Sequence, residues 1–229
     1  VTVDEYLEKL IDIVSISPSY KGPPLRDGND IWGVRRARVP AGAGHYDEIV
    51  LHPLAEVSEI DELNAFPWPL PDDFDYSGIA EAVRNEREGA DRCIMTANGN
   101  IFESSWYMRG FERMFLDFIE FPKLAEAILD RVLDFFLGYF ERVLNAAAGG
   151  IELVFTADDL GGQQGLLLSR EMWERFIKPR HERLNAVIHD HGARVIYHTD
   201  GAVMEVVDGL VDMGIDILQA LQFDAAGMD

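Results

Sequence analysis

Apolar and polar positions along this chain come in blocks. Short, nearly continuous apolar runs occur at Ile11 to Ser17, Arg92 to Ala97, Ile151 to Ala157, Arg194 to His198 and Ile215 to Leu221. Each is followed by a polar or glycine-bearing turn and then by a stretch with helical spacing. A strand with one wet face would alternate apolar with polar, whereas these runs do not. They therefore predict parallel strands covered on both faces. The clearest helix runs from Pro122 to about Ala148, with Leu124, Ile128, Val132, Phe136, Tyr139 and Val143 spaced by three or four. Pro122 is tolerated in a first turn, and Gly149-Gly150 ends the helix. A second begins at Ser169, a good N-cap, and carries Met172, Trp173, Phe176 and Ile177 inward. Pro179 predicts a kink or break there, after which Leu184, Val187 and Ile188 continue the pattern to Gly192. A third is expected over Ala202 to Met213.

The stretch from Lys21 to about Ser77 breaks the rhythm, because Gly22-Pro23-Pro24, Pro67-Trp68-Pro69 and Pro71-Asp72-Asp73 punctuate it. It reads as an excursion over one end of the domain, and a segment of that length is usually a lid or a binding wall. The alternation of strand and helix fits either an open doubly wound sheet or a closed eight-stranded barrel. No G-x-G-x-x-G turn and no P-loop follows any predicted strand, which favours the (β/α)8 TIM barrel as a single domain over 1–229.

Composition narrows the partners. With 48% apolar residues the chain has material for a core, and 41 acidic against 20 basic residues give a formal charge of −21. That charge repels a phosphate backbone and an anionic membrane surface, so nucleic acid and membrane are not expected as partners. Cys93 is the single cysteine, which rules out an internal disulfide and a multi-cysteine zinc site and suits a reducing cytoplasm. No apolar run reaches the ~20 residues of a membrane span.

Chemistry in a parallel barrel collects at the carboxyl ends of its strands, so polar residues that close an apolar run come first. Three turns qualify. Asp158 and Asp159 end one strand, ahead of Leu160-Gly161-Gly162-Gln163-Gln164-Gly165. Two adjacent carboxylates repel in a partly dry mouth, so one of them could work as a proton donor or acceptor, with Asp159 the better candidate and Gln164 a substrate contact. The plain alternative is that one Asp caps a turn. The second turn is His198-Thr199-Asp200-Gly201, where alternation places His198 and Asp200 on one side. They could bind a metal, or the carboxylate could orient the imidazole for proton transfer. The third holds Asn98, followed by Glu103, Trp106, Tyr107 and Arg109. Asn98 and Tyr107 offer hydrogen bonds to a substrate, or the aromatics simply pack the rim. His181, His189 and His191 fall on or beside a polar helix face, where solvation explains them, and His45 and His52 lie in the excursion. No nucleophile elbow or H-E-x-x-H pair is present.

At these residues the chain resembles the uroporphyrinogen decarboxylase superfamily, which contains the decarboxylases of haem synthesis and corrinoid-linked methyltransferases. The resemblance covers almost the whole chain. It is carried by Asp30-Ile31-Trp32-Gly33-Val34, Pro67-Trp68-Pro69 with Asp72-Asp73-Phe74-Asp75, Trp106-Tyr107-Met108-Arg109-Gly110, Asp158-Asp159-Leu160-Gly161, the Ser169 to Pro179 helix, and His198-Thr199-Asp200-Gly201 with Ala226-Gly227-Met228-Asp229.

The resemblance implies a (β/α)8 barrel, of which the strands found here are an interior portion: about one more is expected before Val1 and two after Asp229, or else a partner, such as a second copy in a homodimer, closes the barrel. Tyr107 falls where the decarboxylases carry a substrate-contacting tyrosine, but their arginine-rich signature is absent. The methyltransferase branch has His-x-Cys at the strand end where His198-Thr199-Asp200 stands, and uses histidine and thiolates to hold zinc. Asp in place of Cys moves the expected donor from a thiol chemistry toward a methyl ether or methylamine, with a corrinoid (cobalamin) on a partner protein as acceptor. The leading expectation is thus a methyltransferase with Asp159, His198 and Asp158 doing proton or metal work, zinc held by His198 and Asp200, and Asn98, Tyr107, Gln164 and Asp200 placing the substrate. The alternatives are a cofactor-free decarboxylase of uroporphyrinogen or another carboxylated substrate, and a non-catalytic barrel subunit.

Overall fold

A computed structural model describes residues 12–26, 28–42, 44–89 and 91–229. Ile11, the predicted start of the first strand, lies outside them. Within them, β1 (Ile13–Ser15), β6 (Cys93–Ala97), β7 (Leu153–Ala157), β8 (Arg194–His198) and β9 (Ile217–Gln219) form a five-stranded sheet in that order. Every pairing is parallel, with Met95 beside Leu153, Val154 beside Val195 and Ile196 beside Ile217. Strands that neighbour each other in the order in which the chain makes them, with no reversal, follow the barrel pattern and not the doubly wound one.

Burial along these strands has a period of two. Ile94, Thr96, Val154, Thr156, Val195 and Tyr197 are fully buried. Their alternates Met95, Phe155, Ile196 and His198 are only half-buried, on the opposite face. Side chains of a strand point alternately to its two sides, so the fully buried set faces the helix layer and the other set faces the inside of the curve. That assignment decides the fate of the polar residues that follow each strand.

The helices are α2 (Ile79–Gly89), α3 (Ile101–Arg109), α4 (Phe111–Glu120), α5 (Pro122–Ala147), the short α6 (Arg170–Met172), α7 (Lys178–Asp190) and α8 (Val207–Asp212). In α5 the residues named from the spacing, Leu124 through Val143, are all buried. Ser169 caps α6 by accepting the Met172 N–H, and the predicted break takes the form of a π turn over Trp173–Ile177. Pro179 explains it: its ring nitrogen has no hydrogen for the Arg175 carbonyl, so the chain widens a turn instead of ending. The helix expected from Ala202 begins later, after a 3-10 turn over Met204–Val206. No helix among the described residues is long and apolar enough to cross a membrane.

The excursion is folded. It contains the short pair β2 (Ser19–Tyr20) and β5 (Phe74–Asp75), an antiparallel hairpin of β3 (Arg35–Ala41) and β4 (Gly44–Leu51), and the helix α1 (Ile60–Ala65). Two anchors tie it to the barrel. Trp32 and Phe74 pack against Phe135 of α5 at ring-centroid distances of 4.9 and 6.1 Å. Arg109, fully buried at the end of α3, pairs with Asp117 at 2.6 Å and donates to the carbonyls of Leu54 and Val57. A buried guanidinium is tolerable when a carboxylate and carbonyls take its hydrogens. From the hairpin, Arg36 reaches a lining shared with Ser17, Ala97 and Asn98, at and beyond the carboxyl ends of β1 and β6.

Candidate functional site

Asp158 and Asp159, adjacent in sequence, part company at the end of β7. Asp158 continues the buried alternation of Val154 and Thr156 and turns under the helices, where it is fully buried. Its carboxylate accepts the N–H of Phe102 at 2.9 Å and of Glu103 at 2.8 Å, the free donors of the first turn of α3. His181 Nε2 lies 2.6 Å from the same carboxylate. Asp158 thus fastens β7 to α3 and α7, which is the capping alternative realised on another element. His181 departs from the expectation of a solvated helix face, because it is buried on α7 against the Tyr197 ring, 5.1 Å away. Its spacing from Ile177, Leu184 and Ile188 marks the apolar stripe on which it sits, and that signal was legible.

Asp159 turns the other way, toward the inside of the curve, where His198 and Asp200 meet it. His198 Nε2 lies 3.6 Å from Asp159 Oδ1 and 3.9 Å from Asp200 Oδ2. The side chains are 26%, 41% and 53% exposed for His198, Asp159 and Asp200. One ligand atom from each lies within 4.8 Å of the others. Asp159 therefore joins the pair read from the sequence, supplying the third donor that spacing alone did not reveal. Further contacts hold the grouping in place. Asp159 Oδ1 accepts the backbone N–H of Asp200 at 2.9 Å, the Phe155 ring stacks on the imidazole at 6.0 Å, and Gln219 Oε1 stands 2.5 Å from His198 Nδ1. An amide oxygen only accepts, so Nδ1 donates to Gln219 and Nε2 is the ring nitrogen that faces the carboxylates.

Two glycines make this convergence possible. A Cβ on Gly201, whose φ is 87°, would stand 2.3 Å from the Gly161 carbonyl carbon; one on Gly161 would stand 2.8 Å from the Asp200 oxygen. The loops after β7 and β8 cross backbone on backbone, and the Ala202 N–H donates to the Gly162 carbonyl at 2.8 Å. Gln164 lies on the exposed tip of the first loop, closed by the Gly162 N–H to the Gly165 carbonyl.

A cleft of about 580 Å³, whose lining does not include the triad, opens beyond β1 and β6, lined by Asn98, Asn100, Ser104, Tyr107, Arg36 and the aromatic side chains of Trp32, Phe135, Phe136 and Tyr139 among others. Asn98 and Tyr107 come together here, as read from the sequence, but in this cleft and not around the triad. Asn98 adopts φ 83°, a left-handed conformation that asparagine tolerates, and its side chain is exposed. Tyr107 donates from Oη to Glu103 at 2.8 Å, and the Arg36 guanidinium lies 4.9 Å over its ring while pairing with Asp30 at 2.9 Å. Its backbone carbonyl accepts from His52 Nδ1 at 2.7 Å, which spends the excursion histidine on structure. His45 is exposed on the hairpin; His189 pairs with Asp216 at 2.9 Å and His191 with the Val187 carbonyl at 2.8 Å, outside the site.

Glu103 stands on α3 one turn before Tyr107. Burial first, then the negative charge of Asp158, hold it above the ordinary glutamate range, and Asp159 pushes the same way. Burial and the Glu103 charge together raise the Tyr107 phenol well above its ordinary value. The sequence placed Glu103 in this turn without marking it; its four-residue spacing to Tyr107 on one helix face was the available clue.

The comparisons agree with this architecture. A solved methyltransferase from Methanosarcina mazei shares the fold with a TM-score of 0.61 at 17% identity, over 94% of this chain and 59% of that one. The chain thus spans well under two thirds of the length of that structure. No curated protein matches the sequence. The family described as uroporphyrinogen decarboxylase (URO-D) matches over residues 47–225, from within β4 through β9. The chain belongs to the uroporphyrinogen decarboxylase family.

Proposed function

We propose that this chain is a methyltransferase of its family, moving a methyl group from a small O- or N-methylated substrate to a corrinoid on a separate protein. Asp159 and His198 work at the atom that carries the methyl group, Asp200 completes their site, Asn98 and Tyr107 hold the substrate in the cleft, and Gln164 covers it from the loop tip. Asp158 supports the site from behind by fixing α3.

The observation that carries this reading is the charge of the mouth. Arg36 is the only cation among the described residues lining the cleft, and it is already paired with Asp30. A substrate bearing many carboxylates needs several free guanidinium or ammonium groups, so a neutral or cationic methyl donor fits better than a porphyrinogen. Ethers and amines are poor methyl donors unless the leaving atom gains positive character.

Asp159, His198 and Asp200 also suit a divalent cation such as zinc. The Gln219 contact engages Nδ1 and leaves Nε2, on the side of the carboxylates, as the nitrogen available to ligate, the arrangement that orients a ligating imidazole. One nitrogen and two oxygens form a harder donor set than thiolates, which matches an oxygen or nitrogen substrate atom better than sulfur. When bound, the ion would supply Lewis-acid polarisation of that atom. The likeness to the M. mazei methyltransferase supports the branch at the level of fold.

The test is an assay of the protein with reduced corrinoid and a panel of methyl ethers and methylamines, run beside a uroporphyrinogen assay. Methyl transfer that falls about 100-fold in His198→Ala is the expected result. Turnover of uroporphyrinogen alone would select the decarboxylase reading, and inertness of the intact protein toward every donor would select the non-catalytic one.

A further inference from the structure

Glu103 has 9% of its surface exposed, and its two oxygens are partnered differently. Asn100 Nδ2–H donates to Oε2 at 2.6 Å, and the Tyr107 hydroxyl faces Oε1 at 2.8 Å. Asn100 and Tyr107 line the cleft, while Glu103 stands behind them. An amide nitrogen only donates, so Oε2 is fixed as an acceptor. Any proton on Glu103 therefore sits on Oε1, directed at the phenol oxygen. Two arrangements follow. With Glu103 ionised, Tyr107 donates inward and offers the cleft only lone pairs. With Glu103 protonated, the carboxyl donates to Oη and the phenolic hydrogen turns into the cleft.

The surroundings favour storage of that proton. Asp158, which accepts the N–H of Glu103 itself, lies against it, and Asp159 adds a second negative charge from the end of β7; the buried Tyr197 phenol of β8 feels its charge. His181 of α7 is bound to Asp158, and Arg36 of the hairpin lies 4.9 Å over the Tyr107 ring. Desolvation and the neighbouring carboxylates hold the carboxyl above its ordinary range, in agreement with the geometry.

We propose that Glu103 and Tyr107 form a proton relay, in which Glu103 stores a proton and Tyr107 passes it to a substrate atom in the cleft. The Oη–H bond of Tyr107 breaks as its hydrogen goes to the substrate atom, and the Oε1–H bond of Glu103 breaks as that proton replaces it on Oη. The substrate gains one proton, Tyr107 is unchanged, and Glu103 is left as a carboxylate that water reprotonates. Tyr107 touches the substrate, and Glu103 acts through it. In naming the acceptor as the oxygen or nitrogen that loses its methyl group, the relay rests on the proposed reaction; the stored proton does not.

Glu103→Gln separates the two parts. A glutamine can present its NH₂ to Oη and its carbonyl to Asn100, copying the protonated carboxyl but having no acidic proton to release. Infrared difference spectra across pH should show, in the wild type, a protonated-carboxyl C=O stretch that persists above the ordinary glutamate range. The band should be absent in Glu103→Gln and shifted in Tyr107→Phe. In the methyl-transfer assay, Glu103→Gln should keep KM and lose about 100-fold in kcat. A wild-type protein without that band, or a band that survives in Glu103→Gln, overturns the relay even if methyl transfer is robust. The band with its expected changes, in a protein that methylates no corrinoid, upholds proton storage and refutes the reaction instead.

Discussion

What a carboxylate does depends on what its oxygens touch, and neighbouring residues can differ completely. Asp158 accepts two backbone N–H groups and contacts His181 in a fully buried position, whereas Asp159 is 41% exposed among groups that can bind a ligand. Removing a buried, bonded charge partner is costly, so Asp158→Ala should lower unfolding stability by about 3 kcal/mol, read as a drop in the urea midpoint. Asp159→Ala should stay within about 0.5 kcal/mol of wild type in the same titration. Glu103 adds a pH effect. Its folded carboxyl is held above the ordinary value, so the native chain binds more protons than the unfolded chain between the two, and stability falls as pH rises through that window. Glu103→Gln has nothing to titrate there, so its stability relative to wild type should climb with pH in paired denaturation series. The pair Asp158-Asp159 was visible in the sequence, with Asp159 the better candidate and a cap the alternative for one of them, but not the elements that Asp158 would fasten. The burial alternation of β7 identifies them, once the face toward the helices is known.

At the level of elements, the strand ends are held in register by a loop crossing that only glycine permits. Gly201→Ala would force a Cβ into the Gly161 carbonyl at a positive φ, whereas a Cβ on Gly165, in the same loop system, meets nothing within 4 Å. Gly201→Ala should therefore cost several kcal/mol, about 1–3 of them from backbone strain, while Gly165→Ala leaves the melting temperature nearly unchanged. Equal melting temperatures for the two variants would contradict the crossing. The five strands and α5 were legible because burial on both faces or along a stripe writes a strong apolar pattern. The hairpin of β3 and β4 was not: apart from a few half-buried positions it is exposed along both strands, so no core face marks its register. Pro179 signalled a disturbance, and packing of Trp173, Phe176 and Ile177 on the core turned that disturbance into a π turn.

Across the whole molecule, the candidate site joins separate strands. Asp159 follows β7, His198 ends β8, Asp200 lies just beyond it, and Gln219 ends β9. The family and the parallel barrel order followed from motifs spread along the chain, while the meeting of three ligand atoms required the curvature of the sheet to be in place. A ligand that binds such a site ties two strand ends together and stabilises the fold by mass action, about 2.7 kcal/mol at a hundredfold excess over its Kd. That Asp159, His198 and Asp200 act as one site is tested most directly by calorimetric titration of the metal-free protein with zinc, in wild type and in His198→Ala. One zinc bound per wild-type chain, with loss of that binding in the variant, is the expected result; zinc binding of equal strength and stoichiometry in both would contradict it.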